Sequence, residues 1–200
     1  MTVLNANLHS PHCRACKERV CELLQAAYAD CRTSARFGWP ATPQAYAETA
    51  IGAALVQIHT ALGGLRGHRD FIKSAELPPC DYFVPDPPFI LEFDESQHFS
   101  QARLATLVNY PKSFPLGFSV EHWQELCRQI DARDDEPIDR DERRAWYDTL
   151  RDLLPTVHGF KPTVRLYAEE YEWCSLDARS GRDVEAFRKL LLNQLRGETR

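Results

Sequence analysis

The sequence predicts an α+β protein in which a small mixed β-sheet is flanked by helices, in a three-layer-like (α/β) arrangement. Two short apolar runs around a proline-rich turn, within residues 80–99, are typical of a β-hairpin. Segments on both sides of the hairpin repeat apolar residues at the spacing of amphipathic helices. Hydrophobic residues make up 44% of the chain and charged residues 26%, a composition that supports a packed core and argues against disorder.

A chain of 200 residues accommodates one domain, or one domain with small appendages. We expect an N-terminal helical segment (1–40), a core (41–170) with an insertion (101–137), and a C-terminal helix (171–200). No apolar run approaches the roughly 20 residues of a membrane span, and the first residues lack a signal-peptide pattern. We therefore expect a cytoplasmic protein without a membrane partner.

The N-terminal segment contains the motif Cys13-x2-Cys16, which is half of a zinc site. We expect the seven cysteines to be thiols or metal ligands rather than a disulfide framework. The further zinc ligands considered are His9, His12, Cys80 and Cys174. The alternative is that Cys13 and Cys16 are incidental thiols, because no second Cys-x2-Cys pair is present.

Apolar spacing predicts helices over residues 14–30, 42–62, 120–130, 140–154 and 183–195. Thr42 and Pro43 supply the second helix with a hydroxyl N-cap and a proline at its first position. Ser119 is the expected cap of the third helix, and Pro155 is expected to end the fourth. Residues 163–167 are expected to form a further strand.

The hairpin is expected to bring three carboxylates together on one face of the sheet. Side chains alternate along a strand, so Glu92 and Asp94 share a face. If the turn sets Val84 against Phe89, counting back places Asp81 opposite Glu92. Facing carboxylates destabilise a sheet unless their pKa values rise or a cation is bound. Because Mg²⁺ binds through carboxylates together with substrate phosphates, these three acids predict a magnesium site.

The stretch from Asp81 to Phe99 resembles the PD-(D/E)XK nuclease superfamily, and within it the very-short-patch-repair-like branch. That branch often reads Glu-x-Asp-Gly-x-x-His, and here Ile-Leu-Glu-Phe-Asp is followed by Gln97 and His98. The lysine of the superfamily, two residues after the glutamate, is Asp94 in this sequence, and the following glycine is Glu95. Gln97 and His98 are therefore the candidates for the proton-handling group.

The resemblance implies a restriction-endonuclease-like core and a Mg²⁺- or Mn²⁺-dependent nuclease, with DNA as the expected substrate and endonuclease action expected. It also makes Glu48 a candidate, because the first core helix of this superfamily commonly offers a glutamate to the metal. The alternative for Glu48 is a solvated residue favoured by the helix dipole. A weaker likeness, an Asp-x-x-Arg helix before a strand, makes Arg144 a candidate for neutralising a phosphate. The alternative is an ordinary helical ion pair between Asp141 and Arg144.

A different interpretation is a catalytically inactive nuclease fold, or a zinc-stabilised module, that binds nucleic acid or a protein partner. A third treats the three acids as turn and strand-end residues of an unrelated α+β domain. The net charge of −5 argues weakly against a nucleic-acid partner. The only sizeable positive region is residues 179–200, which is therefore the best candidate for contacting a DNA backbone, the alternative being a solvated helix face. The presence of all three acids favours the nuclease. A protein partner or a homodimer is compatible with each interpretation.

Overall fold

Four strands form one mixed sheet with helices on both faces in the computed structural model, which describes residues 13–196. The helices are α1 (Arg14–Tyr28), α2 (Gly52–Leu65), α3 (Gln101–Leu107), α4 (Val120–Ile130), α5 (Arg140–Val157) and α6 (Gly181–Leu195). The strands are β1 (Arg32–Thr33), β2 (Tyr82–Pro85), β3 (Pro88–Asp94) and β4 (Val164–Tyr167). Short 3-10 helices span Pro43–Tyr46, Ser96–His98 and Trp173–Ser175. The predicted small mixed sheet flanked by helices is confirmed.

The sheet has the order β1-β2-β3-β4, and only the β3–β4 pair is parallel. Val84 pairs with Phe89 across the β2–β3 hairpin, and this confirms the predicted register. Continuing this register by one residue beyond the last pair of the ladder places Asp81 opposite Glu92. A slip of one residue would have turned every side chain of one strand to the other face.

The two faces of the sheet carry separate hydrophobic cores. On one face, Phe83 and Ile90 pack with the apolar sides of α2, α3, α4 and α5. On the other face, Leu91 and Phe93 pack with α1, α6 and the 3-10 helix that contains Trp173. The two ends of the described chain therefore lie on the same side of the sheet, opposite the insertion and α5.

The prediction of a helix over residues 42–62 is wrong for the first half of that range. A 3-10 helix and a turn occupy residues 43–51, and α2 begins only at Gly52. A Cβ at position 52 would lie 2.4 Å from the carbonyl oxygen of Tyr46, so the chain approaches itself too closely there for any other residue. At its other end α2 continues through Gly63 and Gly64 to Leu65, beyond the predicted end at residue 62.

Helix α3, inside the insertion, was not predicted, although its cap is readable: Ser100 Oγ accepts a hydrogen bond from the Arg103 N–H at 3.2 Å. Helix α5 runs to Val157 and contains Pro155, which was expected to end it. Proline removes the N–H that would bind the Arg151 carbonyl. The Thr163 hydroxyl donates to that carbonyl instead, at 2.5 Å, so the helix continues without an orphaned acceptor.

Among residues 13–196, none of the helices combines the length and apolar character that crossing a membrane requires.

Candidate functional site

Asp81 and Glu92 lie side by side at the open end of the β2–β3 hairpin, joined by a hydrogen bond. The Asp81 N–H donates to Glu92 Oε1 at 3.1 Å, and the Phe93 N–H donates to Asp81 Oδ2 at 3.0 Å. These two hydrogen bonds use one oxygen of each carboxylate and leave Asp81 Oδ1 and Glu92 Oε2 outside them. Asp81 Oδ1 lies 3.7 Å from Lys17 Nζ, and the Asp81 side chain is 33% exposed. We call Asp81 and Glu92 the acid pair.

The pKa of Glu92 is raised by its surroundings. It is buried, and Arg151 Nε lies 3.5 Å from its Oε1. Burial raises the pKa of Glu92 to about 8, the charge of Arg151 opposes this rise, and the charge of Asp81 adds to it. A cation at the acid pair would favour the ionised form, because opposite charge lowers the pKa of a carboxyl.

Asp94 does not join the acid pair, which corrects the predicted three-carboxylate site. Its Oδ2 accepts from Trp123 Nε1 at 2.8 Å, and its Oδ1 accepts from Arg165 Nη1 at 2.6 Å. The three predicted acids are not among the described groups whose ligand atoms all lie within 4.8 Å of one another. Strand alternation keeps Asp94 on the face of Glu92, but about 6.6 Å farther along the strand. There it is drawn into a separate cluster of charges.

That cluster, which we call the buried ion network, was missed by sequence reasoning. Arg165 is fully buried and donates from Nε to Asp152 Oδ1 at 2.6 Å, while its Nη2 donates to the Asp148 carbonyl at 3.2 Å. Arg103, also buried, donates to Asp152 Oδ2 at 2.6 Å. A signal was available in the sequence, since Arg165 interrupts an apolar strand and a buried charge needs a partner.

His98 joins the buried ion network to the surface. Its Nδ1 lies 2.9 Å from Asp148 Oδ2 and 3.5 Å from Asp94 Oδ1, and the ring is 21% exposed. Burial acts to lower the pKa of His98, but the charge of Asp148 and the hydrogen bond to it outweigh burial, so the pKa is raised. The contact with Asp148 engages Nδ1 and leaves Nε2 for another partner.

Because the pKa of His98 is raised, the stability of the protein is expected to depend on pH through this residue. Stabilisation by protonated His98 is fully present below its unfolded pKa of about 6.5 and is lost as pH rises through its higher folded pKa. His98→Gln is therefore expected to be destabilised most at acidic pH and progressively less above neutrality, as measured by urea unfolding at several pH values.

The control for this prediction is His158, which stacks on Trp39 and whose pKa is lowered by burial. Its contribution has the opposite sign, so the effect of His158→Gln is expected to grow as pH rises. A stability difference for His98→Gln that does not change with pH would contradict the assignment of a protonated His98 facing Asp148.

Gln97 and Arg144 connect the loop after β3 to helix α5. Arg144 Nη1 donates to the Gln97 carbonyl at 2.9 Å, and its Nη2 donates to Asp134 Oδ2 at 2.7 Å. The ion pair with Asp141, which is the alternative role considered for Arg144, is present at 3.4 Å. Gln97 Nε2 donates to Glu95 Oε2 at 2.6 Å, whereas its buried Oε1 has no hydrogen-bond partner. Arg144 therefore fixes the loop that carries His98.

Glu48 is placed by the structure in an exposed turn before α2, not within a helix. No hydrogen bond or ion pair of the described residues joins it to the acid pair. This position agrees with the alternative of a solvated side chain.

A cationic groove of about 340 Å³ lies on the surface of α5 beside these residues. It is lined by His98, Arg140, Arg143, Arg144, Tyr147 and Arg151. Each helical residue among them lies three or four positions from another member of the set, so they share one face of α5. Arg143 Nε and Arg151 Nε are buried and have no hydrogen-bond partner. We call this feature the arginine groove, and its chemistry is suited to phosphate-like anions.

Three thiols converge on the opposite face of the sheet. The Sγ atoms of Cys13, Cys16 and Cys174 all lie within 4.8 Å of one another, and this thiol cluster could hold a metal ion. It is the only such group of three or more ligands within residues 13–196. Of the other ligands considered, Cys80 lies apart, with its Sγ donating to the Tyr82 carbonyl at 3.6 Å. His9 and His12, considered as ligands too, lie outside the described residues.

No protein-family model, curated protein or solved structure matches this chain.

Proposed function

We propose that this chain is a metal-dependent nuclease that hydrolyses phosphodiester bonds of nucleic acid, with DNA as substrate and endonucleolytic cleavage. The observation that carries the proposal is the acid pair, whose Glu92 contacts Arg151 of the arginine groove at 3.5 Å. Carboxylates for a divalent ion and guanidinium groups for phosphates are thus in contact. The likeness of residues 81–99 to the PD-(D/E)XK superfamily, with its restriction-endonuclease-like fold, supports the same proposal.

The acid pair fits Mg²⁺ or Mn²⁺ on the chemistry of its donors. Asp81 Oδ1 and Glu92 Oε2 are the carboxylate oxygens that do not accept from the Asp81 and Phe93 N–H groups. The Phe93 carbonyl adds a third oxygen on this edge, because the N–H and C=O of one strand residue point to the same side. Mg²⁺ takes one or two carboxylates and completes its shell with water and substrate phosphates. When bound, such an ion supplies hydroxide near neutral pH and offsets charge on the reacting phosphate.

We assign a structural Zn²⁺ ion to the thiol cluster rather than to the acid pair. Zinc favours sulfur and nitrogen ligands, whereas magnesium and manganese favour carboxylate oxygen. The two metals are thus assigned to opposite faces of the sheet.

The protein side chains bind, orient and neutralise the substrate. Arg140, Arg143 and Arg151 bind phosphates in the arginine groove, and Arg144 fixes the loop of His98 while facing the same groove. Asp148 holds His98 through Nδ1, so Nε2 is the nitrogen that can position a water or exchange a proton with it. Gln97, whose Oε1 is buried and unpartnered, is the second candidate for holding that water.

A second candidate function is nucleic-acid binding without cleavage. The observation that favours it is the engagement of Asp94 by Arg165 and Trp123, which leaves two carboxylates at the site instead of three. The arginine groove would serve such a binding module equally well.

The deciding experiment incubates the purified chain with plasmid DNA, single-stranded DNA and RNA, each with Mg²⁺, Mn²⁺ or EDTA. Cleavage of DNA that requires the divalent ion supports the nuclease. Retention of labelled DNA in a binding assay, with no cleavage under any condition, identifies the binding module. If the chain neither cleaves nor binds nucleic acid under any of these conditions, the proposal is wrong.

A further inference from the structure

We infer that Cys13, Cys16 and Cys174 bind one Zn²⁺ ion that ties helix α1 to the segment around the C-terminal 3-10 helix. The three residues come from two regions of the chain, more than 150 positions apart, and their sulfurs lie within 4.8 Å of one another. This inference is independent of the nuclease proposal, because it concerns the opposite face of the sheet.

The local structure explains why the sulfurs meet. Cys13 is the N-cap of α1, and Cys16 follows in its first turn, with the Cys16 N–H donating to the Cys13 carbonyl at 3.0 Å. A Cys-x2-Cys spacing at a helix start therefore puts both sulfurs on the same side. Cys174 follows Trp173, a fully buried residue whose Nε1 donates to the Tyr167 carbonyl at 2.9 Å. Packing of Trp173 thus fixes the third sulfur against α1.

The spacing of the sulfurs is close to what zinc requires. With Zn–S bonds of about 2.3 Å and tetrahedral angles, the ligating sulfurs lie about 3.8 Å apart. The widest separation in the cluster is no more than 4.8 Å. A contraction of about 1 Å at most is therefore needed, which side-chain rotation at the partly exposed Cys13 and Cys174 can supply.

Zinc binds cysteine as the thiolate, so the cluster loses protons when the metal enters. Three neighbouring thiols do not ionise without compensation, and a bound zinc ion deprotonates its thiol ligands. The N-terminus of α1 adds a favourable partial positive charge.

A metal at this position would also stabilise the contact between α1 and the hairpin. Lys17, the residue after Cys16, accepts a hydrogen bond at its carbonyl from the Tyr82 hydroxyl at 2.8 Å. Its Nζ reaches Asp81 at 3.7 Å. The zinc tether therefore holds the start of α1 against β2.

The test measures zinc in protein purified without chelators, by elemental mass spectrometry. One zinc per chain is expected for the wild type and for Cys21→Ser, and a loss of at least tenfold in occupancy for Cys174→Ser. Cys21 is a matched control because it is a partly exposed thiol on the same helix.

A second measurement avoids variants that fail to fold. Removing metal from the wild type with a chelator is expected to lower Tm by on the order of 10 °C, and Zn²⁺, but not Mg²⁺, is expected to restore it. Titration of the metal-free chain with Co²⁺ is expected to give thiolate charge-transfer absorption that Cys174→Ser lacks. Absence of both zinc and this absorption in the wild type would overturn the inference.

Discussion

Glu92→Gln is expected to abolish metal-dependent DNA cleavage while the protein keeps an equal or higher Tm. The amide preserves the oxygen that accepts the Asp81 N–H, so the hairpin contact survives. It removes the negative charge that would bind the divalent ion, and we expect a loss of cleavage rate on the order of 100- to 1,000-fold or more. Cleavage rates and thermal unfolding of the metal-free protein check the two halves of the prediction.

The expected difference in Tm between Glu92→Gln and the wild type depends on pH. A carboxyl whose folded pKa is raised loses stability as pH rises from its unfolded pKa of about 4.5 toward its folded pKa of about 8. Glutamine has no such loss, so the Tm advantage of Glu92→Gln is expected to grow across this range.

The matched control is Asp86→Asn, in the exposed turn at the far end of the same hairpin. It is expected to change neither cleavage nor Tm, whereas Asp81→Asn is expected to lose cleavage as Glu92→Gln does. If Glu92→Gln unfolds the protein, or cleaves DNA at the wild-type rate, the acid pair is structural and the nuclease proposal fails.

Arg165→Met is expected to destabilise the protein by about 3–5 kcal/mol, the range for removing one partner of a buried ion pair. Arg165 is the common partner of three buried acids: Asp94, Asp148 and Asp152. Methionine fills part of the volume but supplies neither charge nor donors, so the carboxylates stay buried without compensation. Urea unfolding measures the loss.

Arg188→Met, on the exposed side of α6, is the control and is expected to stay within about 0.5 kcal/mol of the wild type. Adding Asp94→Asn to Arg165→Met is expected to recover part of the stability, because it removes one of the stranded charges. Equal stability of Arg165→Met and wild type would show that the buried ion network contributes little to folding.

The local part of the candidate site was predictable from the sequence. Alternation along β3 and the turn before it are short-range properties, and together they place Asp81 opposite Glu92. His98 follows within a few residues, so its position near the site could also be predicted. Cys174 was one of several ligands considered for Cys13 and Cys16, and the structure selects it over Cys80.

The rest of the site depends on contacts that are distant in the sequence. Asp94 was assigned to the metal from its position on the strand alone. Its partner Arg165 lies 71 residues later in a parallel strand, so the local pattern does not reveal this ion pair. The arginine groove was missed because aspartates and glutamates alternate with its arginines, so the segment shows no excess of positive charge. Only the helical spacing of Arg140, Arg144 and Arg151 gathers the arginines on one surface.

The parallel β3–β4 pair joins two segments that the ribosome synthesises at different times. At 5–20 residues per second, Arg165 is synthesised about 4–14 s after Asp94, which it will neutralise. During that interval the β3 edge of the nascent hairpin has no partner strand. Asp94 and Glu92 also lack their positive partners, since Arg151, which lies beside Glu92, is synthesised later as well. A translational pause within α5 is therefore expected to prolong a protease-sensitive, chaperone-bound nascent chain that matures only when β4 emerges.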